Sequence, residues 1–165
     1  MVNVYPVKDV QFKVSTVGRL AVNEDDHQTI RGMENFSISF DNGIEEWKPL
    51  DAMGWSRRMM TAKSMTVGLS GKRVVNCPGN DYIAGLAYQN GNLAESNLWV
   101  IFPNGDQMTM DCVINVTACG GGSSTDIAVL EFECLSDGIP LYMRNSGDVL
   151  TPSPTLFGGD VNVSN

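Results

Sequence analysis

Histidine and closely paired cysteine are what this sequence most lacks. His27 is its single imidazole, and Cys77, Cys112, Cys119 and Cys134 include no CxxC spacing. A tetrahedral zinc site draws on several Cys or His ligands in close pairs, so none is expected. The acidic run beside His27, Glu24, Asp25 and Asp26, lacks the ligand spacing of a calcium or zinc loop and reads as a solvated turn. Basic residues are scarce too: 11 Lys and Arg against 19 Asp and Glu give a formal charge of −8, and no basic cluster exceeds two residues. Binding to nucleic acid by phosphate neutralisation is therefore excluded, although a protein that surrounds nucleic acid without holding it is not. No apolar run approaches the length of a membrane span, and the first residues carry neither a basic segment nor an apolar one. The expectation is a protein soluble where it is made, in a reducing cytoplasm, with its cysteines as buried free thiols.

Catalytic patterns are equally thin. A Ser-His-Asp or Cys-His site would have to use His27, and no GxSxG elbow occurs. Gly120-Gly121-Gly122 lacks the lysine and following helix of a phosphate loop. Glu131 and Glu133 share one strand face, which makes a carboxylate pair conceivable, but two solvated outward-facing residues account for the same pattern. No enzyme, cofactor or metal is expected.

What the sequence does carry is alternation. Hydrophobic residues make up 42%, charged residues 18%, and 17 glycines punctuate short alternating runs, the composition of one mainly β domain. Residues 10–16 read as a first strand. Residues 33–41 place Phe36, Ile38 and Phe40 on one side and Asn35, Ser37, Ser39 and Asp41 on the other. Residues 64–70 repeat this with Met65, Val67 and Leu69. Residues 97–102 and 107–112 flank Asn104-Gly105, a hairpin turn signal. Residues 126–135 give a further strand after the glycine loop. One helix is expected over about 80–89, capped by Asn80 and stopped by Asn90-Gly91, lying on the sheet as a lid. Beyond residue 144 a Pro/Gly/Ser-rich arm, 145–165, has Leu150, Leu156 and Phe157 as possible anchors.

The connection between the second and third of these strands, residues 42–62, is far longer than compact domains usually need. Trp47, Leu50, Met53, Trp55, Met59 and Met60 sit there among Arg57, Arg58 and acidic residues. Aromatics, methionine and arginine in polar surroundings are enriched at protein interfaces. The segment is therefore expected to order against another subunit, the alternative being a flap over its own sheet.

Taken in order, Ile44-Glu45-Glu46-Trp47, the run from Gly54 to Thr66, Gly71-Lys72-Arg73, Phe102-Pro103-Asn104-Gly105 and Gly120-Gly121-Gly122 resemble the major tail tube proteins of long-tailed bacteriophages, especially those of Gram-positive hosts. The resemblance covers roughly residues 33–143. It implies a β-sandwich or barrel with one flanking helix in residues 1–144, and hexameric rings stacked into a tube that conducts DNA on ejection. Related subunits build contractile tails, phage-like bacteriocins and secretion tubes. The implied partners are other copies of the chain, tape-measure protein and DNA passing through the lumen, and tail terminator and distal tail proteins, in a virion tail assembled in the host cytoplasm. In such a ring the polar strand faces, with Ser37, Ser39, Asp41, Thr66, Thr109, Asp111, Glu131 and Glu133, would line an acidic lumen. A rival class is a carbohydrate-binding β-sandwich in which Trp47, Trp55 and Trp99 stack on sugar rings.

Overall fold

The computed structural model describes residues 4–21 and 23–151. Its strands are β1 (Gln11–Ser15), β2 (His27–Thr29), β3 (Met33–Trp47), β4 (Arg57–Lys72), β5 (Glu95–Ile101), β6 (Gln107–Cys119), β7 (Val129–Ser136) and β8 (Leu141–Met143), with one helix, α1 (Pro78–Leu86). All pairings are antiparallel, in the order β2-β1-β5-β6-β7-β4-β3, with β8 on β6 beside that path. The protein is thus mainly β with one helix, as the alternation and the resemblance both imply.

The sheet curls. Five strand spacings separate β1 from β3, which in a flat sheet would be about 24 Å. Instead Phe12 and Phe36 meet edge to face with ring centroids 5.0 Å apart. The curl encloses one core, in which Val14, Val67, Leu98, Met110, Leu130 and Phe132 are almost wholly buried. Burying each such side chain is worth about 1.5–3 kcal/mol. No ladder joins β2 to β3, so the sheet stays open there.

Helix α1 adds Ile83 and Leu86 to that core. Its start differs from the expected one: Cys77 is the N-cap and Pro78 the first helical residue, a position where the missing N–H costs nothing. Asn80 lies inside the first turn, fully buried, and ties the helix to the β2–β3 connection. Its Oδ1 accepts from the Arg31 N–H at 2.9 Å and its Nδ2 donates to the Arg31 carbonyl at 2.7 Å. Gly79 permits this approach, because a Cβ there would lie 2.5 Å from the Thr29 carbonyl oxygen. The Arg73–Asp81 ion pair, at 2.6 Å, anchors the same end.

All four cysteines are free. Cys77, Cys112 and Cys134 are buried as expected, whereas Cys119 is exposed, because it ends β6 beside the glycine loop where the core has run out. A hydrogen bond with Cys112 and complete burial push the Cys134 thiol well up, so it stays protonated. Past β8 the chain remains on the body: Val149 bridges Met143, and the Leu150 N–H donates to the Tyr142 carbonyl at 2.9 Å. The remainder of the expected arm, residues 152–165 with Leu156 and Phe157, lies outside the described residues.

Candidate functional site

The long connection between the two alternating strands is ordered for most of its length. Residues 42–47 and 57–62 continue β3 and β4 as a paired ribbon, leaving residues 48–56 as the tip. Alternation is hard to read there because the β4 partner steps from Ala62 to Met60 opposite Gly43 and Ile44, leaving Thr61 as an extra residue. The bulge turns Met60 to the same side as Ile44.

β4 pairs with β7 only from Thr66 to Lys72. From Met65 to Arg57 its one ladder partner is β3, so the two strands leave the sheet as a projecting arm. Within the body, Met65, Val67 and Leu69 are buried and Phe36 and Ile38 half-buried on the core side. On the arm the same stripe runs on through Phe40, Ile44 and Met60, all more than half exposed. Trp47 and Met59 lie toward the other side and are also exposed. An isolated two-stranded ribbon is at best marginally stable in water, so this arm has surface to bury.

The tip is a defined turn. The Ala52 N–H donates to the Pro49 carbonyl and the Trp55 N–H to the Ala52 carbonyl, at 3.2 and 2.9 Å. Met53 takes a left-handed conformation, φ 48°, uncommon for a residue with a side chain. Leu50 and Met53 project fully into solvent, and Trp55 is 79% exposed. Hydrogen bonds from Ser56 and then Arg58 hold Glu46 below the usual carboxylate range. Arg58 reaches Glu46 Oε2 through both Nε and a terminal nitrogen at 2.8 Å, while Arg57 begins β4 opposite Trp47.

The second surface is the sheet face away from the core. Cross-strand register aligns Ser37, Gly68, Glu133 and Asn115 in one row, and Asn35, Ser70 and Glu131 in the next. Ser39 and Thr66 head a third row that continues into Leu135 and Val113, two apolar interruptions. Asp41 lies opposite Ser64 on the arm, Asp111 opposite Asn97, and Thr109 opposite Trp99. Gly68 presents no side chain, so Ser37, Thr117, Glu131 and Glu133 rim a depression of about 270 Å³. Cations border this face, among them Arg19, which pairs with Glu95 beside Val113 at 3.5 Å. Lys72 stands at one end near Asp126, and Lys13 on β1 lies over the Trp99 ring at 4.7 Å.

His27 belongs to the same margin: its Nε2 is 2.8 Å from Asn97 Oδ1, and Asn97 in turn donates to Asp111 Oδ1 at 2.9 Å. Its ring meets Trp99 edge to face. Trp99 is only 8% exposed, so it forms no common platform with Trp47 and Trp55 at the end of the arm. The stacking surface a sugar-binding module would need is therefore not assembled. Sequence alternation alone did not separate Trp99 from the other two; its place in a central strand does.

No family model and no curated protein sequence matches this chain. Solved structures do. The chain is similar to a subunit of the tail of an empty gene transfer agent particle refined with C6 symmetry, at a TM-score of 0.63 and 18% identity over 83% of this chain and 97% of that one. It is similar to a chain of the native gene transfer agent virion, at 0.61 and 17% over 85% and 99%. It is also similar to a chain of the anti-feeding prophage tube-terminating cap, at 0.52 and 16% over 87% and 95%. The structural neighbours are components of virion tails and phage-related tubes, and the fold is theirs.

Proposed function

We propose that this chain is the repeating subunit of a phage-type tail tube, assembling into six-membered rings that stack into a conduit for DNA. The observation that carries the reading is the arm, a ribbon whose core-side apolar stripe continues into solvent on a body with the fold of tail subunits. Trp47, Leu50, Met53, Trp55, Arg57, Arg58, Met59 and Met60 then meet neighbouring copies. Within a ring, the sheet edges at β2 and β3 offer unpaired N–H and C=O groups to the next subunit, and closure of the ring removes those edges.

The face with Ser37, Ser39, Asp41, Thr66, Thr109, Asp111, Glu131 and Glu133 lines the lumen in this reading. Its carboxylates repel DNA phosphates, so DNA passes without the counterion-release attraction a basic wall would create. Tape-measure protein occupies the same channel before DNA, and terminator and distal tail proteins meet the two ends of the tube in the virion tail. Negative-stain microscopy of the concentrated protein tests the proposal: rings or tubes support it, and a monodisperse monomer at every concentration overturns it.

A further inference from the structure

The arm ends in a knob and starts from a hollow. At its base, where β4 has parted from β7, a groove of about 450 Å³ is formed by Phe40, Met65, Ile139, Pro140 and Leu150. A volume of that size with an apolar lining is typical of clefts that bury a drug-sized ligand. Its one charged side chain is Lys63, whose ammonium stands over the Phe40 ring at 5.4 Å and has no carboxylate partner among the described residues. The hollow beside α1 is more polar, with Gln89 and Asn92 in its lining, and its Asp81 and Glu95 are already paired to Arg73 and Arg19.

At the far end Leu50 and Met53 stand in solvent with Trp55 close by. Met53 holds a left-handed conformation that ordinarily falls to glycine or asparagine, yet its side chain gains no burial within the chain. Asp51 lies between Leu50 and Met53 in sequence, exposed and without an ion pair among the described residues. The tip thus offers apolar side chains with a carboxylate, and the groove an apolar hollow with an ammonium. The tip cannot fill its own groove, because β3 and β4 stay paired out to Trp47 and Arg57, which holds it about 23 Å of strand beyond Phe40. We infer that the arm tip of one copy seats in the arm-base groove of the next, with Leu50 and Met53 against Phe40, Ile139 and Leu150 and Asp51 facing Lys63. The inference rests on the tube reading and names the surface that receives the arm. Tip and groove are different patches, so the contact runs head to tail. Every copy offers one of each, and the contact propagates through a ring or a stack where a two-fold contact would stop at a dimer.

Two experiments on the full chain test this. In the first, Asp51→Lys and Lys63→Asp are each expected to raise the concentration at which tubes appear about threefold, and the double variant Asp51→Lys/Lys63→Asp to bring it back to the parent value. Both side chains are exposed, so folding is not at issue. Single variants without effect, or a double variant no better than either single one, overturn the inference. In the second, Met53→p-benzoylphenylalanine is assembled from an equal mixture of light and heavy isotope chains and photolysed. Light–heavy crosslinks from position 53 to residues 138–140 and 150 are the expected result. Crosslinks within one chain, or to α1 or another surface, overturn the inference while tubes seen by microscopy leave the tube reading standing. A parent chain that stays monomeric at every concentration overturns the tube reading and this inference with it.

Discussion

Phe40 and Met65 face each other across β3 and β4, yet Phe40 is 56% exposed and Met65 4%. This pair marks where the body ends and the arm begins. Inward from it the apolar stripe is core; outward Phe40, Ile44 and Met60 stay on the same side, exposed, with Asn42 and Lys63 between them. In the proposed tube, foldability and association are written into one strand pair, and a substitution on the arm should separate them.

Trp55→Ala should leave the body intact, because an exposed tip residue outside the core typically shifts stability by less than about 0.5 kcal/mol. Assembly should suffer, since large aromatics dominate interface energies. Urea unfolding and microscopy on the same sample check this. A large loss of stability would make Trp55 a folding residue instead.

Asn80→Ala should act in the opposite way. It leaves the Arg31 N–H and carbonyl without their buried partner, at a cost of about 2–4 kcal/mol. The urea midpoint should fall with the slope unchanged. A variant as stable as the parent would mean that water satisfies Arg31.

Asp106 and Tyr142 give a pH signature with two limbs. The Tyr142 hydroxyl donates to Asp106 Oδ2 at 2.8 Å, and the Asn145 N–H donates to its other oxygen. These bonds hold Asp106 below the usual carboxylate range, so its contribution is complete above about pH 4 and is lost as pH falls through its folded value. Burial, then the bond to Asp106, pushes Tyr142 up to about 12. Its contribution is complete below about pH 10 and disappears as pH rises toward that value. In Tyr142→Phe the alkaline limb should shrink, leaving the part that comes from the raised Cys134 thiol, and the acid limb should flatten. Unfolding midpoints measured from about pH 3 to 11 decide it.

Glu131→Lys with Glu133→Lys reverses the charge of the polar face without touching the core, since both side chains are exposed. Tubes should still form, but now retain duplex DNA in low salt and release it as salt rises. Wild-type tubes should retain none. DNA retention by both, or by neither, would place these residues off the channel wall.

Much of the architecture was legible in the sequence. The inner halves of β3 and β4, together with β5, β6 and β7, follow period two because one face of each is buried. The arm was not, for a physical reason: with neither face buried, nothing compels alternation, and the bulge at Thr61 shifts what remains. Its aromatic and methionine content still marked it as a surface. The helix start was misplaced because Asn80 is a favourable cap by composition but is spent on Arg31, a partner distant in sequence. The three-residue strands β2 and β8 are too short to show a period. The polar face was legible over β3, β4, β6 and β7, whereas Lys13 and Lys72 at its borders emerge only from the strand order.

The most direct test is a cryo-electron microscopy reconstruction of particles formed by the purified chain. The account predicts a six-fold tube in which each arm touches a neighbouring copy through Trp55 and its surroundings, with Glu131 and Glu133 on the inner wall. Particles whose arms contact no other copy, or whose carboxylates lie on the outer wall, would contradict it.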